Sequence, residues 1–545
     1  MIEPPQPPSL GPKKGAAPGE IAALVEAVLE AASLEEKIAM MSGRGFFQAY
    51  AEAGRRWGAS PYRAGSGVER LGVPALYFTD GPRGVARGSS TCFPCTMGRG
   101  ASFDTDLERR IGEAMAIEIR AQGCTLSGAV CINLLRHPAW GRAQETYGED
   151  PCHLGEMGAA LAAGLQTHNV IATVKHFALN SIENARFTVD VRCDGQTMRE
   201  VYLPHFRKVI DAGCLSVMSA YNRWNGEYCG QHRELLTTIL REEWGFEGFV
   251  HSDWVFGLRH VYAAGAGLDV ENPEPLVFGA HLLAAVQAGT VDPAVIDTAC
   301  RRILTVQYRL ACAEDPLEAY DERLVAGPAH RALAREAAHK AAVLLKNDRA
   351  LPFDPDQVKV VAVLGALADL ENTGDLGSSR VHPPYVITPA EGLRRRLGAG
   401  AVLTAHEDEP DAIARACAAA DAVVILAGYT HKDEGEYVPG GGIDLGQIDN
   451  PALAALVRAQ SRVNPGPDIG GDRASLALPA HQIAMIRSAA AAAGGKPLVV
   501  VIVAGSAVMV EDWHGVCPAI LQSFYAGMEG GAALADLLFA EISPS

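Results

Sequence analysis

Residues 213–254 read GCLSVMSAYNRWNGEYCGQHRELLTTILREEWGFEGFVHSDW, and they hold two short apolar runs that each stop at polar residues. Leu215–Ser219 delivers Tyr221 and Asn222, a helix is predicted over Glu234–Trp244, and Phe249–Ser252 delivers Asp253 and Trp254. Strand, helix and strand with polar tips make one βαβ unit whose chemistry sits at the strand C-terminal ends. An Asp in such a place is most often a cap or turn residue, because its carboxylate accepts from free backbone N–H groups. Beside a Tyr hydroxyl and a Trp face it also suits a nucleophile that attacks an electrophilic carbon against an apolar ring.

Upstream, Ala75–Phe78 is a predicted strand ending at Thr79–Asp80–Gly81–Pro82–Arg83–Gly84, and Cys92–Met97 is a second. A helix over Asp106–Gln122 leads to a third strand, Gly128–Asn133, and a helix over Gly155–His168 leads to Ile171–Val174, tipped by Lys175 and His176. A helix over Gln196–Ala212 enters the opening stretch, and helices over Phe278–Ala288 and Pro293–Arg309 follow it. Six or seven polar-tipped strands alternating with helices imply parallel strands in a TIM-like (β/α) barrel, with the site at the strand tips. After the helix His330–Ala342 come the apolar runs Val358–Leu364, Ala422–Leu426, Pro497–Val503 and Ala519–Phe524, with helices Asp411–Ala420 and Ala480–Ala493 among them. Runs apolar throughout imply a mostly parallel sheet covered on both faces, an α/β sandwich. The expected division is a flexible tail over 1–20, a barrel over 21–325, a linker helix over 326–345 and the sandwich over 346–545.

A chain of 545 residues exceeds one core, which agrees with two large domains. Its net charge of −17 and lack of a Lys/Arg run argue against nucleic acid or an anionic membrane surface, and favour a neutral small molecule. The start, MIEPPQPPSLGPKKGAAPGE, has no apolar leader, so a cytoplasmic location is expected. Twelve cysteines lack a repeating spacing, and the single C-x-x-C at Cys92–Cys95 has no partner pair for zinc. Buried thiols in a reducing compartment fit that usage. The oligomeric state stays open, a homo-oligomer included.

The tracts MSAYN (218–222), LL-x-x-IL (235–240) and EWGF-x-G-x-x-x-SDW (243–254) together resemble family 3 glycoside hydrolases of the β-glucosidase and β-xylosidase type. The resemblance implies a retaining, exo-acting β-glycosidase, a β-glucosidase first, that needs no cofactor and no metal. Asp253 is then the nucleophile, oriented by Tyr221, with Met218 and Trp254 lining an apolar wall. Asp80 in its Asp-Gly-Pro loop, Arg142 in RHPAWGRAQETYGEDP (136–151), Lys175 and His176 in KHF, and Arg186 would hold the non-reducing sugar of a small glycoside. In that Arg142 motif Ala143 and Gln144 stand where the family carries Asn and Phe, and Asn272–Pro273 stands where it carries Met-Pro. The tract ALNSIEN after KHF differs from the KHFPGHG of the N-acetylglucosaminidase branch and disfavours it.

A retaining mechanism needs a second carboxyl as acid and then base. In YTHKDEGEYVP (429–439) the Glu-Gly step of the family's acid/base loop selects Glu434, with Asp433 and Glu436 beside it. The family's following Asp-Arg and L-x-LP are delayed to Asp472–Arg473 and Leu476–Pro479, so residues 437–471 form an insertion. A carbohydrate-binding protein with a degraded site is the rival, resting on the altered loops; a serine hydrolase lacks its G-x-S-x-G elbow.

Overall fold

The computed structural model describes residues 10–54, 56–315, 319–438 and 469–544. Most of the 437–471 insertion therefore lies outside the described residues.

The first domain is built on a sheet in the order Tyr62–Gly65, Leu76–Thr79, Leu126–Cys131, Ile171–Phe177, Ser216–Ser219, Phe249–His251, parallel except for its first pair. Leu126–Cys131 and Ile171–Phe177 are buried at every position, as strands covered on both faces must be. Helices Thr105–Ala121, Pro151–Thr167 and Pro204–Asp211 pack outside, with Asp104 and Asp150 accepting from N–H groups of the first two. These six strands are not a regular eight-stranded barrel. The gap between first and last is spanned by single bridges: Arg63 to Arg44, Ser42 to Glu271, and Val270 to His251.

Three expectations need correction. Cys92–Met97 is not a strand: Cys95 donates its N–H to Tyr525 O of the second domain, and the helix Thr96–Ala101 begins directly afterwards. The helix expected over Gln196–Ala212 breaks before Pro204, whose missing N–H cannot continue the ladder. The tail is anchored from Leu10 onward, because Leu10 N donates to Leu71 O, the Tyr308 hydroxyl donates to Leu10 O, and a helix starts at Pro18.

Helix Pro328–Ala341 leads straight into an edge strand, Val343–Asn347, that pairs antiparallel with Ala519–Gln522. The second sheet then runs on in parallel through Leu498–Val503, Ala422–Gly428, Val361–Leu364 and Val402–Ala405. Alternate residues serve alternate faces. Val424, Leu426, Val499 and Val501 pack towards helices Pro389–Leu397 and Gly530–Leu538, while Val423, Ile425, Val500 and Ile502 pack towards Pro410–Ala419 and Ala480–Ala493. Trp140, Ala143, Cys95 and Met97 of the barrel domain belong to the first of these cores. The two domains thus share apolar packing beside the barrel's strand tips.

Candidate active site

A cavity of about 440 Å³ opens at those tips, and both domains line it. Asp253 lies in it, 5% exposed. The N–H of Trp254 donates to Asp253 Oδ1 at 2.8 Å, while Oδ2 has no hydrogen-bond partner and lies 3.7 Å from His176 Nε2. One oxygen is fixed and the other is bare, as an attacking carboxylate requires. Burial raises its pKa to about 6, partly offset by the charges of Arg142 and Arg186.

The turn that carries it is held from several sides. Tyr221 donates its hydroxyl to Trp254 O at 2.8 Å, Val255 N donates to Asn272 O, and Asn272 N donates to Ser252 Oγ. The Asn272 side chain takes no part, so its backbone does the bracing where the family carries Met. At Gly257 an added Cβ would fall 2.4 Å from Asp253 O, which leaves glycine alone able to close the turn.

Around Asp253 stand five of the polar residues expected from sequence. Lys175 Nζ pairs with Asp80 Oδ1 at 2.5 Å, both buried. Asn133 Oδ1 accepts from His176 N at 2.8 Å and faces His176 Nδ1 at 3.1 Å, so Nδ1 carries the proton. Nε2 then accepts from Arg142 Nη1 at 3.3 Å, and burial with the neighbouring Arg142 and Lys175 charges holds His176 neutral. Arg142 also forks onto Glu145 at 3.0 and 2.8 Å. Arg186 donates to Glu436 Oε1 at 2.8 Å and to Tyr437 O, with Glu183 Oε2 at 3.2 Å.

Trp254 forms the apolar wall with residues the sequence reading passed over. Its ring packs at 4.9 Å from Phe46 and 5.2 Å from Trp57, and Tyr50 and Phe187 complete the lining. Met218 does not line the cavity. It pairs in register with His251 inside the barrel and packs into the barrel core. Ser378, Arg380 and His382 from the second domain were also missed as site residues. They lie in GSSRVHPP (377–384), an irregular loop with no tip or periodicity to mark which side chains face inward.

The two carboxylates of the acid/base loop part company. Glu434 is 0% exposed and does not line the cavity. Its Oε1 accepts from Gly505 N at 2.6 Å and from the Tyr525 hydroxyl at 2.7 Å, and Arg473 Nε stands 3.2 Å from Oε2. Burial raises its pKa, with Arg473 opposing. Glu436, 8% exposed, lines the cavity on the hairpin strand Gly435–Val438. Burial would raise its pKa too, but Arg186, Arg142 and the Ser378 N–H, donating at 2.6 Å, together hold it below the usual carboxylate range.

The insertion does not separate the motif's halves in space. Gly435–Val438 pairs antiparallel with Ile469–Gly471, so Asp472 and Arg473 return beside Glu434. Asp472 accepts from the N–H groups of Gly141, Glu183 and Asn184 across the domain boundary. A Cβ at Gly141 would meet Gly471 O at 2.2 Å, so only glycine admits this approach. Among the described residues no group of three or more His, Cys, Asp or Glu is arranged to hold a metal ion.

The family model described as "Glycosyl hydrolase family 3 N terminal domain" matches residues 59–306, and its "C-terminal domain" counterpart matches 342–545. The chain belongs to glycosyl hydrolase family 3. It is 36% identical over 383 residues to a β-glucosidase of Rhizobium radiobacter, covering 69% of this chain and 45% of that protein. It is 30% identical over 548 residues to thermostable β-glucosidase B of Acetivibrio thermocellus, covering 96% of this chain and 65% of that one. β-Glucosidase 3B from Thermotoga neapolitana, solved with glucose, superposes with a TM-score of 0.79 at 27% identity over 96% of this chain and 74% of that chain. The family-3 chain described here therefore spans about half to two thirds of these two relatives' length.

Proposed function

We infer that the protein is a retaining, exo-acting β-glycosidase, and a β-glucosidase first among them, acting by double displacement on a terminal non-reducing sugar. The observation that carries this reading is Asp253 itself, a buried strand-tip carboxylate with one oxygen fixed and the other bare, facing a cavity edged by Asp80, Lys175, His176 and Arg142. Those side chains supply donors and acceptors for a ring of hydroxyls. The names of the relatives and the glucose in the Thermotoga neapolitana structure support glucose as the glycone.

Asp253 would attack the anomeric carbon, forming the glycosyl-enzyme as the aglycone oxygen departs with a proton, and water would then release the sugar with retained configuration. Glu436, not the expected Glu434, is the acid/base of this reading. Position supports this first, since a proton donor must reach the leaving oxygen and Glu434 has no surface in the cavity. Glu436 is held ionised by Arg186, Arg142 and the Ser378 N–H. A sugar hydroxyl that draws on Arg186 weakens the largest of these charges, and burial, which favours the protonated acid, then counts for more.

The test is trapping. A 2-deoxy-2-fluoro-β-glucoside should add one sugar mass to the peptide carrying Asp253, and a panel of nitrophenyl glycosides should rank glucose above xylose. A label on any other peptide would overturn the assignment, as would the absence of turnover on every β-glycoside in the panel.

A further inference from the structure

The mouth of the cavity differs in charge from the rest of the molecule. Asp253, Asp80 and Lys175 lie buried at the base, whereas Arg56 and Arg380 are exposed and His382 is half-buried, and all of these line the same cavity. Among the described residues neither arginine nor His382 has an ion-pair partner, on a chain whose net charge is −17. Arg56 makes one long contact, to Gly88 O at 3.5 Å. The nearby carboxylate, Asp375, is occupied by Gly377 N, the Ser379 hydroxyl and Glu436 N.

The cations also disturb one another. The pKa of Arg380 is lowered by burial and then by Arg56 and Arg83, and that of His382 by burial and then by Arg380 and Arg56. Like charges converging beside a carboxylate that three other donors already engage leave a local field that an anion would satisfy. Beside them lies an aromatic surface: Tyr50 stacks on Phe46 with planes 15° apart, and Trp57 meets Phe46 edge-on. Flat faces favour flat partners.

We propose that the outer subsite takes a flat aromatic aglycone bearing a carboxylate, with its ring against Phe46, Tyr50 and Trp57 and its anion between Arg56 and Arg380. This deepens the glycosidase reading above and rests on it. Guanidinium forks match carboxylate geometry, and neutral His382 can add one donor.

The experiment compares the β-glucoside of 4-hydroxybenzoate with that of its methyl ester. On the parent enzyme kcat/KM for the acid should exceed that for the ester by about fivefold at low salt, and the ratio should shrink as salt screens the rim. In the Arg56→Gln/Arg380→Gln double variant the ratio should fall towards one. Taking the change in ratio between enzymes cancels the intrinsic difference between the two leaving groups. A ratio untouched by the substitutions, or an ester preferred by the parent, overturns the proposal. Calorimetric binding of free 4-hydroxybenzoate and its methyl ester decides the matter without turnover. Preferential binding of the acid that the double variant loses upholds the subsite even if no glycoside is cleaved, whereas equal or absent binding of the two overturns it.

Discussion

Asp253 works from a position that penalises its own charge. Its pKa of about 6 stands above the ordinary 3.8, so the folded state holds the proton more tightly than the unfolded chain does. Stability from this group is therefore full below about pH 4 and is lost as pH rises to about 6. Asp253→Asn removes the penalty. It should abolish hydrolysis while raising stability at pH 7 by about 2 kcal/mol, a gain that fades below about pH 4, read as the difference between urea midpoints of variant and parent. A variant less stable than its parent at pH 7 would contradict the burial argument. In the proposed reaction the attacking species is the carboxylate, so the same proton should set the acid limb: kcat/KM should decline below about pH 6. The two loop carboxylates should separate cleanly. Glu434→Ala leaves Arg473 and the Tyr525 hydroxyl buried without their acceptor, and should cost about 3 kcal/mol of stability, with no rescue of turnover by azide. Glu436→Ala leaves Arg186 still paired with Glu183, so the fold should hold. It should lose disaccharide hydrolysis, keep forming the glycosyl-enzyme from nitrophenyl glycosides, and recover turnover with azide as a glycosyl azide of retained configuration. An exchange of these behaviours would restore Glu434 as the acid/base.

Elements buried on both faces were legible because their sequence is apolar at nearly every position. Ile171–Phe177 and Ala422–Gly428 announce themselves in this way. Tyr62–Gly65, and the segments at 42–44 and 270–271 that bridge the barrel, did not, because pieces joined by a single bridge or one antiparallel edge contain no run long enough to show a period. The site followed the same division. Asp80, Lys175, His176 and Asp253 sit at strand ends and could be picked out, whereas Ser378 and Arg380 come from irregular loop and Phe46, Tyr50 and Trp57 from a region remote in the chain. Glu434 was chosen over Glu436 on its Glu-Gly step and its place on the strand side of the insertion, and neither says which carboxylate the hairpin turns inward. The hairpin makes one further claim at this scale. Val438 faces Ile469 in register, so a two-residue Asn-Gly turn in place of residues 439–468 should close the strands without moving Glu436. Such a variant should melt within about 5 °C of the parent and turn over nitrophenyl glucoside within about threefold, because the entropy of closing a chain between two paired strands changes slowly with its length. Loss of the labelled glycosyl-enzyme would show that the replaced residues do more than connect.

At the scale of the whole molecule, the proposed reaction requires the second domain to deliver a carboxylate to Asp253 on the first, and five hydrogen bonds carry that placement. Gln144 Oε1 accepts from Arg83 Nη1 at 3.1 Å and from Asp375 N at 3.0 Å, Arg83 donates further to the carbonyls of Thr373 and Asp375, and Asp375 Oδ1 accepts from Glu436 N at 2.9 Å. Gln144 is thus the barrel's grip on the loop that holds Glu436. It stands where the family carries Phe, which invites the substitution Gln144→Phe as a return to the common pattern. The geometry argues for the opposite outcome. Phe would leave the Asp375 N–H buried without an acceptor, at a cost of about 1–3 kcal/mol, and would leave Arg83 Nη1 with Thr373 O as its remaining acceptor. The strain falls on the placement of Glu436 rather than on Asp253, whose supports lie wholly within the barrel domain. Gln144→Phe should therefore lower kcat/KM for cellobiose by about tenfold or more while reducing nitrophenyl glucoside turnover much less, because the nitrophenolate departs without a proton. Fluoroglucoside labelling of Asp253 should proceed at near the parent rate. Equal losses on both substrates would mean that the change had reached the nucleophile, and a gain on cellobiose would mean that apolar contact, not this hydrogen-bonded bridge, sets the distance between the two carboxylates.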